Sequence, residues 1–309
     1  MFCFRRASPF VSRAVYNIET EEVMKRHRQS ATWMGTTLGA VCAVLVLALG
    51  ARASDHRGAL SEDFRQTYPI SAEGRVELDN INGPVHISSW DRNEVKVDAV
   101  KYADTKERLD EAKIEIDAGK DYVSIQTKYP DHDHTFNWGS HNNPASVEYT
   151  LTVPRTVRLD EIKLINGSLD VTGMTGEVRA SCINGRLDAS NLSGRAELST
   201  VNGRLVARFD QLSGQSVELN SVNGSVDLTI PSDSNTELEA ETVSGGISND
   251  FGLHVNHHNF VGHDLSGELG SGGAHIKVSN VNGHVEIHHA QDGRTMSPVK
   301  DRSHGDDSI

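Results

Sequence analysis

Cysteine is nearly missing from this sequence: Cys3, Cys42 and Cys182 are the three in 309 residues. The first two fall in a segment expected to be lost, which leaves one thiol. A disulfide framework inside the chain is thereby excluded, as is a zinc site built on several thiolates. A lone cysteine in a strand reads as a small buried hydrophobe. Aromatic residues make up 6% of the chain and proline supplies 8 positions, while glycine supplies 27. A core drawn from Val, Ile, Leu and Ala suits stacked strands better than the deep pocket of an α/β enzyme. Positive charge is also short. The formal net charge is −13, and residues 1–53 hold seven Lys/Arg and three Glu, so the rest carries 23 basic residues against 40 acidic, a net −17. A body that acidic repels polyanions, which excludes nucleic acid as a partner.

Enzymatic signatures are missing too. No serine has glycine both two residues before and two after, so there is no nucleophile elbow. There is no H-E-x-x-H, C-x-x-C or Walker loop. Gly270-Ser271-Gly272-Gly273 lacks the lysine and helix that a phosphate cradle needs, and reads as a turn. Nothing in the sequence calls for a cofactor.

What is present begins with an address. Lys25, Arg26, His27 and Arg28 precede an uncharged, largely apolar run from Trp33 to Gly50, followed by Ala51-Arg52-Ala53. A basic region, an apolar region and an A-x-A site predict a signal peptide over residues 24–53, cleaved between Ala53 and Ser54. Its length is ordinary if translation starts at Met24, so residues 1–23 read as an upstream start artefact. The run is also near the length of a membrane span, which keeps an uncleaved anchor as the alternative and the only expected membrane contact. Cys42 lies inside the run, against a lipoprotein. Both readings export the body, to the periplasm or, as the second choice, the cell surface.

The rest is organised by a repeat. Ile165-Asn166-Gly167, Ile183-Asn184-Gly185, Val201-Asn202-Gly203, Val222-Asn223-Gly224 and Val243-Ser244-Gly245 recur at steps of 18, 18, 21 and 21 residues. Ile81-Asn82-Gly83 opens the series and Val281-Asn282-Gly283 closes it. After each polar-Gly pair the apolar residues alternate, as in Leu169 and Val171 or Leu187 and Ala189, which predicts half-buried strands. Each unit is turn, strand, turn, strand. Two all-β architectures satisfy this. One is a β-solenoid over residues 54–290, of roughly ten coils spaced by about 4.8 Å, with corner glycines stacked and asparagines forming a ladder. The other is an antiparallel β-sandwich or meander with Asn-Gly hairpin turns. Copying of the corner from unit to unit favours the solenoid. Lys101–Lys113 is helix-compatible and expected to leave the rod; Asp131–Ala145 is a polar loop; residues 291–309 are expected to be a disordered polar tail.

Several stretches carry a resemblance: INGPVHISSWD from Ile81 to Asp91, Val95-Lys96-Val97, VEYTLTVP from Val147 to Pro154, and the train of Asn-Gly pairs. Between Phe64 and His289 the chain resembles the Toastrack family of bacterial adhesin-like proteins, a domain of unknown function. Gly270–Gly273 with His275-Ile276-Lys277-Val278 and Val281-Asn282-Gly283 looks like that family's last coil. The resemblance implies a secreted or membrane-tethered β-strand repeat protein and supplies no catalytic residues.

Three groups of residues could carry chemistry. His132 and His134 alternate in the run Asp131–His134, and a loop return could add His141 as a third metal ligand. His254, His257, His258 and His263 form a second cluster, with His288 and His289 on the final strand, where neighbours point to opposite faces. On the outward face, Asp170, Asp188, Asp227 and Glu286 share one repeat position and Arg186 and Arg204 another. That acidic column could take calcium or a sugar chain, or be solvated charge that compensates itself. The expected function is a non-catalytic binding, adhesin-like or scaffold module of the cell envelope whose partner is an envelope protein or a glycan. The alternatives are a β-helix polysaccharide-active enzyme using the repeated aspartates, and a periplasmic envelope-stress or metal-binding partner.

Overall fold

The computed structural model describes residues 60–130, 144–212, 214–257 and 262–302. Each Asn-Gly pair ends one strand and turns the chain into another. The units thus contribute β8 (Arg158–Asn166) and β9 (Leu169–Thr172), β10 (Val178–Asn184) and β11 (Leu187–Leu192), β12 (Ala196–Asn202) and β13 (Leu205–Phe209), and β14 (Val217–Asn223) and β15 (Val226–Ile230). Strands before a corner pair with one another in parallel, with Asn166, Asn184, Asn202 and Asn223 in register. Strands after it do the same, aligning Leu169, Leu187, Leu205 and Val226. The repeats therefore build two large, mostly parallel sheets, and the antiparallel meander is overturned for this region. Alternation supplies the reason: parallel register keeps the same apolar positions on the inner face of every unit. Val178, Ala180 and Cys182 point in from β10 as Leu187 and Ala189 do from β11, and the inward residues of both sheets form one continuous core cluster.

At the N-terminal side the first unit, β2 (Arg75–Asn82) and β3 (Val85–Trp90), stacks directly on β8 and β9. Between them in sequence lie β4 (Glu94–Ala103), α1 (Lys106–Glu111), β5 (Lys113–Ala118), β6 (Tyr122–Lys128) and β7 (Ser146–Pro154). β6 and β7 extend the two sheets in parallel beyond β2 and β3. Antiparallel strands then close each flank: β5 on β6, β4 on β7, and β1 (Leu60–Pro69) on β4. The helix does not project from the sheets as expected. Leu109 is buried in the core, and the Lys101 ammonium donates to the Leu109 and Ala112 carbonyls, both at 3.4 Å, tying the helix end to β4.

The other end departs from chain order. β16 (Thr236–Ser244), β17 (Ile247–Asn249), β18 (Asn256–His257) and β19 (His263–Leu269) come before β20 (Ala274–Asn282) and β21 (Val285–His289). Yet β20 lies between β14 and β16, and β21 between β15 and β17. The last motif in sequence is thus not the last coil in space; the Ser244-Gly245 corner lies beyond it. β19 returns antiparallel along the outer edge of β16, and this hairpin feeds β20 back into the gap. The tail is not structureless throughout either. β22 (Val299–Asp301) pairs antiparallel with β19, and Arg302 reaches Glu268 at 2.5 Å and Glu237 at 3.1 Å. Antiparallel strands thus cover three of the four edges of the parallel stack, and the fourth is the short parallel strand β17. Among the described residues no helix is long and apolar enough to cross a membrane.

Candidate functional site

The corners are the most regular surface of the molecule. Each asparagine side chain donates to the next: Asn166 to Asn82, Asn184 to Asn166, Asn202 to Asn184 and Asn282 to Asn223 at 2.9 Å, and Asn223 to Asn202 at 3.0 Å. The glycine amides run the other way. Gly83, Gly167, Gly185, Gly203 and Gly224 donate to the carbonyls of Asn166, Asn184, Asn202, Asn223 and Asn282, and Gly283 to that of Ser244. Gly245 has φ 144° and follows Gly283 in the stack. The arrangement satisfies the backbone at every turn and is architectural.

Behind it lies a second ladder that the sequence reading missed. The residue two before each corner asparagine or serine points inward, and several of these side chains bond a glycine carbonyl. Thr200 donates to Gly203 at 3.2 Å, Asn280 to Gly224 at 3.1 Å, Thr242 to Gly283 at 3.3 Å, and the Cys182 thiol to Gly167 at 3.4 Å. Burial pushes the Cys182 thiol up to about 11, which keeps it protonated and unreactive. In the first unit the position is Asn80, whose amide donates to the carbonyls of Val147 at 2.9 Å and Gly83 at 3.2 Å. Thr127 donates to the Asn80 oxygen at 3.0 Å, leaving the Tyr149 hydroxyl to donate to Thr127 at 2.8 Å. Burial raises Tyr149 and pushes Tyr129 up to about 12, so both phenols stay neutral. The signal available was a run of Asn, Cys, Thr and Ser at one fixed inward offset.

The outward column on the other sheet holds the charged chemistry. Cross-strand register places His86, Asp170, Asp188, Val206, Asp227 and Glu286 side by side. Asp170 lies between His86 Nδ1 at 2.9 Å and the Arg186 guanidinium at 2.8 Å. Arg208 meets Asp188 at 2.9 Å, and Arg204 Nε meets Asp227 Oδ2 at 2.5 Å. Arg186 and Arg204 each follow a corner glycine, but Arg186 reaches toward the preceding unit and Arg204 toward the following one. At the end of the column His288 Nε2 is 3.5 Å from Glu286 Oε2, while His288 Nδ1 is 3.0 Å from Asp250 Oδ2. The hydrogen bond to Asp250, with Glu286 adding to it, raises the His288 imidazole above its ordinary value. Ligand atoms of Asp227, Glu286 and His288 all lie within 4.8 Å of one another. Asp227 is buried among them, with 9% of its side chain exposed.

The histidine expectations divide. His132, His134 and His141 lie outside the described residues, as do the cleavage residues Ala53 and Ser54 and, in the second cluster, His258. His257 and His263 face each other across β18 and β19 with ring centroids 4.6 Å apart, and His263 Nδ1 is buried without a hydrogen bond. The His254 backbone amide donates to Asp301 at 3.1 Å. His289 does not share a site with His288; it meets the Ser232 hydroxyl at 3.0 Å. A polar groove at the second turn of the units is lined by Ser89, Arg155, Thr175, Asn191 and Asp210 among others. Arg155 is committed to Asp91 at 2.6 Å and Asp210 to Asn191 at 3.2 Å, and none of the described residues that line the groove is aromatic.

None of the curated proteins matches this chain. Three crystal structures resemble it at low similarity. A protein from Clostridium sporogenes described as a candidate cell adhesion protein is 14% identical, over 75% of this chain and 100% of its own, with a TM-score of 0.40. A candidate adhesin from Bacteroides fragilis is 12% identical over 74% and 97%, with a TM-score of 0.34. A candidate lipid binding protein from Parabacteroides distasonis is 8% identical over 76% and 98%, with a TM-score of 0.23. The family comparison is more direct: the Toastrack DUF4097 pattern matches residues 161–288, from the end of β8 through β21. By that match, and by the corner repeat within it, residues 161–288 of this chain are similar to the Toastrack family.

Proposed function

We propose that the chain is a non-catalytic, exported β-repeat protein of the bacterial cell envelope, a solenoid-like rod of about ten coils whose outer face serves as an adhesin-like binding or scaffold surface. The observation that carries this reading is the charged column. Its carboxylates are engaged at hydrogen-bond distance by cations from neighbouring units: Asp170 by Arg186, Asp188 by Arg208, Asp227 by Arg204. A carboxylate held that way is neither a free general base nor a proton donor. Repetition at the inter-strand spacing of about 4.8 Å instead presents a linear array, suited to an extended partner such as a glycan chain or an envelope protein segment.

Protease shaving of intact cells tests the reading, with the protein followed by an antibody to its C-terminal tail. Digestion with the outer membrane intact supports adhesion at the surface. Protection until that membrane is opened makes the protein periplasmic, the favoured location, and selects the scaffold role. Turnover of a glycan by the purified protein, lost in the double variant Asp170→Ala, Asp188→Ala, would overturn the non-catalytic reading.

A further inference from the structure

We propose that Asp227, Glu286 and His288, with Asp250 behind the imidazole, form a binding site for a divalent transition cation of the zinc class at the end of the charged column. The site goes beyond the proposed function and stands whether or not the rod binds another molecule.

The histidine carries the inference. A metal-bound imidazole usually donates its second ring N–H to a carboxylate, which fixes its tautomer and orientation. Here Asp250 Oδ2 sits 3.0 Å from His288 Nδ1, placed to accept an Nδ1–H, and Nε2 faces Glu286 Oε2 at 3.5 Å. A protonated ring donates Nε2–H across that gap, whereas in the neutral ring a bound cation takes the proton's place between the two acceptors. Ligand atoms about 2.0–2.1 Å from a tetrahedral zinc are about 3.4 Å apart, close to that separation. Asp227 offers the third ligand from the adjacent strand β15, within 4.8 Å of the other two.

Charge and chemistry narrow the occupant. With the imidazole neutral, Asp227, Glu286 and Asp250 against Arg204 leave two uncompensated negative charges, which a divalent ion neutralises. Arg204 Nε engages Oδ2 of Asp227, so the other carboxylate oxygen can serve the ion. Calcium prefers six to eight oxygen ligands and magnesium keeps most of its water, whereas carboxylates mixed with imidazole suit zinc or manganese. The three ligands come from two neighbouring strands, β15 and β21, which lie in register as Asp227 opposite Glu286. Asp250, at the end of β17, adds the outer support from the next strand.

Calorimetric titration of the metal-stripped protein with Zn2+ tests this, with Co2+ as a second probe whose visible absorption reports imidazole and carboxylate ligation. His288 and Glu286 are 42% and 41% exposed, so His288→Ala and Glu286→Gln should keep the fold, checked by circular dichroism. The expected result is a site whose affinity falls at least tenfold in either variant, with loss of the Co2+ band. Asp250→Asn should weaken it by about 10–100-fold through orientation of the ring. The double variant His254→Ala, His257→Ala should leave it unchanged. Wild-type affinity and stoichiometry in both His288→Ala and Glu286→Gln would overturn the site, as would failure of Zn2+ to bind at micromolar concentration.

Discussion

At Gly185 the corner leaves no space for a β-carbon, which would lie 1.7 Å from the Gly167 carbonyl oxygen. The residue also has φ 149°, outside the range an L side chain normally adopts. Strain and backbone clash act together, so Gly185→Ala should destabilise the protein by more than about 2 kcal/mol, read as a lowered urea midpoint at constant slope. Gly214 is the internal control. It also has positive φ, at 72°, but no atom lies within 4 Å of an added β-carbon, so its alanine variant should cost about 1 kcal/mol from conformation alone. Equal losses at the two sites would show that stacking contributes nothing. The Asn-Gly corner was legible because one stereochemical demand recurs with one residue type. The inner ladder was not, because Asn80, Cys182, Thr200 and Asn280 share only the ability to donate to a carbonyl. The pairing of His288 with Asp250 was equally hidden: the two are brought together by register across sheet strands, not by spacing along the chain.

Two strands carry an extra residue, and the extra residue shows where local shape was added to the repeat. In β8 the partners of Val178 and Ala180 are Leu159 and Ile162, so Asp160 and Glu161 bulge out opposite Arg179. Glu161 has φ 62°. In β11 a similar shift between Ala189 and Leu192 leaves Asn191 at φ 54°. Asparagine tolerates this region better than glutamate, and Asn191 also donates to Asp210 at 3.2 Å. Glu161 makes only a surface ion pair with Lys163. Glu161→Gly should therefore stabilise the protein by up to about 1 kcal/mol, whereas Asn191→Gly should be neutral or destabilising, as differential scanning calorimetry would register. A destabilised Glu161→Gly variant would mean that the ion pair or chain entropy outweighs the strain. The strands themselves followed from alternation. The insertion of β20 between β14 and β16 did not, since units with the same motif fit the stack equally well in either order. What decides the order is the β19 return along β16, a hairpin whose strands lie in register from Thr236 opposite Leu269 to Thr242 opposite His263.

Across the whole molecule, the question is whether such an array unfolds unit by unit. Repeat proteins can lose cooperativity because each unit touches only its neighbours. Two features oppose that here. The apolar core is continuous, from Ile70 near one end to Ile287 near the other, with Leu164, Leu198 and Leu219 joining the units between. Antiparallel strands close three of the four sheet edges, β1 and β5 at one end and β19 with β22 at the other, and only the short β17 ends a sheet in parallel register. The insertion adds a topological link, because β20 cannot leave the stack without separating β14 from β16. Native-state hydrogen exchange should then give the ladder amides of β2, β12 and β20 the same opening free energy, equal to that of global unfolding. Leu198→Ala, a fully buried residue mid-stack, should lower all three together by about 2–5 kcal/mol. If β20 alone opened earlier, or if the substitution were felt only in β12 and its neighbours, the stack would be a chain of separable units. The inserted coil would then be a clasp at one end, with no hold on the rest of the sheet.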